Sequence, residues 1–111
     1  MYNTDPENIE YIADFICNLT DPQRKTEMAA IKKASVTVHA LVMLELDRKR
    51  DKIRFEKDAE ALSPIRITTI LADQLMDYSR GDLRKLAMDI KNEVPGAKEA
   101  FHYVYNFMSG R

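Results

Sequence analysis

The most constraining feature of this 111-residue chain is a long segment, between Pro22 and Pro64, that contains neither glycine nor proline. Small and apolar side chains recur along it at alternating steps of three and four residues, which is the spacing of one helical face. Both ends of the segment are rich in strong helix formers. The pattern predicts one continuous helix over about residues 22–62. The residues of its main face are Met28, Ile31, Ser35, Val38, Val42 and Leu46.

A β-hairpin is the main alternative for this segment. Within residues 36–46 every second residue is apolar, as in a half-buried strand. A hairpin would need a tight turn within residues 47–51, and that stretch lacks the glycine or asparagine that such turns favour. The helix is therefore the preferred prediction.

The length of the predicted helix has a consequence for assembly. About 40 residues would span about 60 Å, whereas a compact domain of this size has a radius of gyration of about 13 Å. Either the helix breaks near residues 47–51, or a second subunit or partner covers its overhang. Phe55, Ala59 and Leu62 share one face of that overhang. The sequence therefore predicts a homodimer or another protein partner.

Three short segments have the composition of helix starts. Residues 4–7 and 20–23 read Thr-Asp-Pro-Glu and Thr-Asp-Pro-Gln, so Thr4 and Thr20 are the predicted N-caps. The Glu or Gln at the fourth position can return a hydrogen bond to the threonine N–H. Residues 79–82, Ser-Arg-Gly-Asp, form a third predicted capping box.

Shorter helices complete the predicted fold. The first spans about residues 5–18, and Tyr11 and Phe15 widen its apolar face. The prediction is an all-α helical bundle of about five helices with one long central helix, in a single domain over residues 1–111. The remaining helices are predicted to begin after three breaker sites: Pro64, Ser79 and Gly96.

Charge is unevenly distributed, although the net charge is only −1. Residues 1–21 sum to −5 and residues 22–57 to +5, which predicts attraction between the first two helices. The near-neutral total excludes a protein that coats nucleic acid through strong overall positive charge.

Cysteine content and hydropathy limit the cellular compartments in which the protein is expected. Cys17 is the only cysteine, so neither an intrachain disulfide nor a four-thiolate metal site can form. The longest uncharged stretch, residues 34–44, has 11 residues, whereas a membrane span needs about 20 apolar residues. The sequence predicts a soluble cytoplasmic protein that does not bind a membrane.

No arrangement of reactive side chains predicts catalysis. Glu99 and His102 have the spacing of a di-iron helix motif, but that site needs two such motifs and further glutamates. His39 lacks the lysine and glycine neighbours of a phosphotransfer histidine, and Cys17 has no adjacent base. We therefore expect no enzyme activity, no cofactor and no metal, with a metal or phosphotransfer module as the remaining catalytic alternative.

Aromatic residues cluster in the last predicted helix. Phe101 and Tyr105 share its inner face, and Tyr103 and Phe107 share the other, so one layer of helices cannot bury all four. Aromatic residues are also common at the centres of protein interfaces. The alternative is that this helix lies in a groove and its own chain covers it twice. The predicted partner-binding residues are Phe55, Leu62, Phe101, Tyr103, Tyr105 and Phe107.

The sequence therefore predicts a small non-catalytic regulatory, adaptor or inhibitor protein that binds a protein partner and forms a homodimer. The alternative is a nucleic-acid-binding regulator, because six bases within residues 48–57 could follow a phosphate backbone. Asp51 and Glu56 dilute this charge. The residues predicted to bind nucleic acid are Arg48, Lys49, Arg50, Lys52, Arg54 and Lys57.

Overall fold

The computed structural model describes residues 3–53 and 64–110, and all regular structure within these ranges is helical. The predicted all-α bundle is therefore confirmed, with six helices in the described ranges where about five were predicted. The helices are α1 (Pro6–Cys17), α2 (Asp21–Ala34), α3 (Val36–Ile53), α4 (Pro64–Met76), α5 (Arg80–Lys91) and α6 (Ala97–Ser109).

The central helix of the bundle is α3. It packs against α1, α2, α4, α5 and α6, which explains why apolar residues surround most of its circumference. Its 18 residues are about 27 Å long. That length fits within overall dimensions of 41 × 32 × 26 Å. The described part of α3 therefore needs no second subunit to cover its length.

The predicted continuous helix over residues 22–62 is wrong, because the chain leaves the helical conformation at Ser35. This residue has φ −161° and ψ 116°, and its N–H still donates to Ile31 O, at 2.8 Å. Its hydroxyl accepts from the N–H of Val38 at 3.2 Å, and its carbonyl accepts from the N–H of His39 at 3.1 Å. Ser35 therefore ends α2 and caps α3.

The break occurs at Ser35 for a local chemical reason. Serine is a preferred N-cap, because its hydroxyl replaces a backbone acceptor. The β-branched residues Val36, Thr37 and Val38 follow it, and such side chains are not strong helix formers. The break considered near residues 47–51 does not occur, since α3 is continuous there. The predicted overhang, with Phe55, Ala59 and Leu62, lies outside the described residues.

The predicted helix starts hold, with one shift. The N–H of Thr20 donates to Gln23 Oε1 at 3.1 Å, and that of Ser79 donates to Asp82 Oδ2 at 2.9 Å. The cap of α1 is Asp5 rather than Thr4, and its Oδ1 accepts from the Glu7 N–H at 3.1 Å. Pro6 takes the first helical position, so the preceding aspartate supplies the cap.

The turn from α1 into α2 is closed by a buried arginine. Arg24 is only 4% exposed. Its Nε donates to Ile16 O at 3.0 Å, and its guanidinium also donates to Leu19 O and to the Asp21 carboxylate. These bonds add donors to carbonyl oxygens at the end of α1 and in the turn that follows it, where Ile16 O also accepts from the N–H of Leu19 at 3.2 Å. Arg24 thus fixes the angle between the two helices.

The turn from α5 into α6 depends on a glycine. Gly96 has φ +81°, and a Cβ at this position would lie 2.9 Å from Leu41 Cδ1. A larger residue would meet both backbone strain and a steric clash. The helix start predicted after Gly96 is therefore confirmed.

Candidate protein-binding surfaces

The terminal helix α6 lies between α3 and α5, and most of its aromatic side chains contact the bundle. Phe101, Tyr103 and Phe107 are partly buried against the core. The Tyr103 hydroxyl donates to Asp47 Oδ2 on α3 at 3.0 Å. Burial and the adjacent Asp47 carboxylate raise the pKa of Tyr103. These three predicted partner-binding residues therefore also hold α6 in place.

Tyr105 is more exposed than Phe101, Tyr103 and Phe107 on α6. It was predicted to face inward with Phe101, but 51% of its surface is exposed. Its ring stacks on Phe101 with centroids 5.9 Å apart and planes 9° apart. The other two predicted partner-binding residues, Phe55 and Leu62, lie outside the described residues.

The described members of the basic segment, on the last turn and a half of α3, are largely engaged in ion pairs with the same chain. Lys49 pairs with Asp14 on α1, which agrees with the predicted attraction between the acidic and basic segments. Arg50 pairs with Asp47. A phosphate backbone would have to compete with these carboxylates for the same cations.

The remaining members of the basic segment are more exposed. Arg48, whose side chain is 63% exposed, lies 3.6 Å from Glu45 and 3.9 Å from Glu99. Lys52 is also exposed, while Arg54 and Lys57 lie outside the described residues. The nucleic-acid alternative stays a prediction, and only part of its basic surface is described.

His39 lies on α3, at the centre of the bundle. It is 0% exposed. Its Nδ1 lies 2.5 Å from the Tyr78 hydroxyl, and its Nε2 lies 3.0 Å from Gln74 Oε1. An amide oxygen only accepts, so Nε2 carries the proton and Nδ1 accepts from Tyr78. Burial lowers the pKa of His39 to about 4. Neither ring nitrogen is placed to attack a phosphoryl group.

A polar cleft of about 520 Å³ lies between α2, α4 and α5, and Gln74, the hydrogen-bond partner of His39, is one of its lining residues. Lys32 is one of the residues that line this cleft. Its Nζ is 4.5 Å from the Tyr78 ring centroid, 3.2 Å from Asp77 O and 3.4 Å from Asp82 Oδ2. These contacts neutralise the lysine within the protein, so the cleft has charges of both signs and no concentrated field. Its other charged lining residues are Lys25, Lys33, Asp73 and Lys85.

The groups considered for metal binding and nucleophilic chemistry are scattered. Glu99 and His102 are exposed on α6. Within residues 3–53 and 64–110, no three His, Cys, Asp or Glu side chains are grouped as metal ligands. Cys17 is partly buried, and burial raises the pKa of its thiol. Its reactive thiolate form is therefore disfavoured.

The acidic helix α1 carries an aromatic surface that sequence reasoning assigned to the interior. Tyr11 is 70% exposed and Phe15 is 44% exposed, one helical turn apart. We call this pair the α1 aromatic face. On a helical wheel with about 100° per residue, Tyr11 falls about 160° from the buried Ile9 and Phe15 about 120° from it, so the pattern places Tyr11 outside the buried face and Phe15 at its edge.

Helix α4 also exposes large apolar side chains. Ile65 is 80% exposed and Met76 is 60% exposed, at opposite ends of the helix. On α5, Met88 is 55% exposed. Single exposed apolar residues are ordinary on protein surfaces, whereas apolar residues aligned on one helix face mark candidate contact surfaces.

None of the helices in the described ranges combines the length and the apolar character needed to cross a bilayer. No protein-family model, curated protein or solved structure matches the chain.

Proposed function

We propose that this protein is a non-catalytic regulator or adaptor that binds another protein through the α1 aromatic face. The observation that carries the proposal is the exposure of Tyr11 and Phe15 on one face of α1. Tyrosine and phenylalanine bury large areas at modest entropic cost, and they are enriched where proteins associate. Neither side chain is among the buried residues that α1 contributes to the core, which are Ile9, Ile12, Ala13 and Ile16.

The charge around this face defines the partner. Glu7, Glu10 and Asp14 are exposed on α1, and the helix has no basic residue. Asp14 already pairs with Lys49, whereas the two glutamates extend the negative surface towards the N-terminus. A nucleic-acid backbone would be repelled there. A partner segment with lysine or arginine beside apolar side chains would match both properties.

The chemistry of the interior supports a binding role rather than catalysis. His39 is buried and hydrogen-bonded at both ring nitrogens, and the thiol of Cys17 is held in its protonated form by burial. The free thiol also fits a reducing cytoplasmic compartment, which is part of this proposal.

A displayed library of random peptides tests the proposal. We expect the parent chain to select peptides that combine basic and apolar residues. Binding of those peptides should weaken at least about tenfold when Tyr11→Ala and Phe15→Ala are combined. Met88→Ala, which removes an exposed apolar side chain on α5, serves as the matched control and should leave binding unchanged.

Two results would contradict the proposal. One is selection of acidic or purely apolar peptides. The other is equal binding by the parent and the Tyr11→Ala/Phe15→Ala variant, when circular dichroism gives both the same helix content.

A further inference from the structure

Helix α4 is apolar on two opposite sides. Its inner side is the buried row Ile67, Leu71 and Leu75, which packs against the rest of the bundle. A second row lies on the far side of the helix, at steps of four, three and four residues, and we call it the α4 outer stripe. Its members, all exposed, are Ile65, Thr69, Ala72 and Met76.

The α4 outer stripe contains no charged residue, and Thr69 is its one polar member. Its two ends are the large side chains Ile65 and Met76, 80% and 60% exposed. The hydroxyl of Thr69 donates to Ile65 O at 3.0 Å, so this oxygen is satisfied within the helix. The threonine methyl group and Ala72 then form the middle of the stripe. Alternating three- and four-residue spacing is the pattern with which two helices pack along a common seam.

We propose that the α4 outer stripe binds the same stripe of a second copy of this chain, with the two α4 helices antiparallel. A twofold axis would pass between Thr69 and Ala72. Each Ile65 would then pack against Met76 of the second copy, and each Thr69 against Ala72. Such a contact uses one surface twice and closes at two subunits.

The charges beside the stripe favour this arrangement. Arg66, Asp73 and Asp77 lie on the same flank of α4. In an antiparallel pair related by a twofold axis, each flank faces its own equivalent in the reversed direction. Arg66 of one copy would then lie level with the interval between Asp73 and Asp77 of the other. The twofold axis would produce two such contacts, one on each copy's Arg66.

Parallel pairing would lose this complementarity. The charged flank would then face the opposite flank of the second copy, where the Arg50 guanidinium donates to the Thr68 hydroxyl at 3.3 Å, so Arg66 would lie near a like charge. Arg66 already lies 2.6 Å from Asp21 on α2, with its side chain 49% exposed. A guanidinium has five N–H donors in a planar fork, so it can bridge Asp21 and a carboxylate of the second copy.

The size of the contact predicts its strength. Stable interfaces bury about 1,200–2,000 Å² in total, and a seam of four positions on one helix provides less. The dimer is therefore weak and reversible. The inference concerns α4 and does not depend on the partner proposed for the α1 aromatic face.

Sedimentation velocity of the full chain, from about 5 to about 500 µM, tests the association. The parent should shift from monomer to dimer. Ala72→Glu places two carboxylates together at the twofold axis and should weaken association at least about tenfold. Ala87→Glu is the matched control, because Ala87 is exposed on α5, and it should associate like the parent. A parent that stays monomeric, or two glutamate variants that behave alike, would overturn the proposal.

Disulfide formation between single-cysteine chains tests the orientation. In a Cys17→Ala background, a mixture of Ile65→Cys and Met76→Cys chains should form the mixed disulfide. Each variant alone should cross-link poorly, because antiparallel pairing holds its two copies of the cysteine about 16 Å apart. Preferential cross-linking of like with like would overturn the antiparallel arrangement.

Discussion

Helices α1 and α6 both carry aromatic residues one turn apart, yet these residues are buried to different extents on the two helices. On α6, Phe101, Tyr103 and Phe107 are partly buried, because the helix packs on both α3 and α5. Tyr105, one turn after Phe101, is 51% exposed. On α1, Tyr11 and Phe15 are exposed, because that helix packs mainly on α3. The spacing of aromatic residues thus defines a helix face, and the number of neighbouring helices decides how much of that face is covered.

The largest expected effect concerns α3, the helix against which both α1 and α6 pack. Burial lowers the pKa of His39 from 6.5 to about 4. Between these values the unfolded chain binds a proton that the folded chain excludes. The free energy of unfolding should therefore fall as the pH drops through this window, by about 3 kcal/mol in total.

Urea unfolding measured across this pH range, with two histidine variants, checks this prediction. His39→Gln should remove the pH dependence assigned to the buried ring. His102→Gln, on the exposed side of α6, should retain it. Equal slopes for the two variants would mean that other groups produce the loss of stability.

A pair of phenylalanine truncations tests the comparison directly. Phe107→Ala should lower the free energy of unfolding by about 2 kcal/mol, since a partly buried ring leaves a cavity against the core. Phe15→Ala should cost less than about 1 kcal/mol, because its ring is 44% exposed. Denaturant titration measures both, and similar losses would contradict the distinction between the two helices.

The tyrosines of the two helices sharpen the same contrast. Tyr103→Phe removes the hydroxyl that donates to Asp47 and should cost about 1 kcal/mol. Tyr11→Phe is its counterpart on α1, where the side chain is 70% exposed, and stability should change by less than about 0.5 kcal/mol. A thermal melt of each variant gives the comparison, and a larger effect at Tyr11 would reverse it.

The smallest expected effect is that of the ion pair between α1 and α3. The side chains of Asp14 and Lys49 are 56% and 25% exposed, so solvent screens much of their attraction. A double-mutant cycle with Asp14→Asn and Lys49→Gln should give a coupling of about 0.5 kcal/mol that declines with added salt. A coupling that salt does not change would indicate a more buried contact than the structure has.

Some elements could be predicted because their causes are local in sequence. The caps at Thr20 and Ser79 depend on side chains three residues apart, and the break at Gly96 depends on backbone conformation at one residue. The capping role of Ser35 also depends on local sequence. It was missed because Ser35 falls on the predicted helical face between Ile31 and Val38. The predicted partner-binding aromatics of α6 lie on the expected helix, and their degree of burial could not be predicted.

The sequence by itself determined the all-α class and most helix starts, because hydrogen bonding and periodicity act within a few residues. Only the tertiary structure decided that Tyr11 and Ile65 face outward while His39 is enclosed by Tyr78 and Gln74. Burial depends on which helices become neighbours across long stretches of chain. A periodic pattern on one helix does not contain that information.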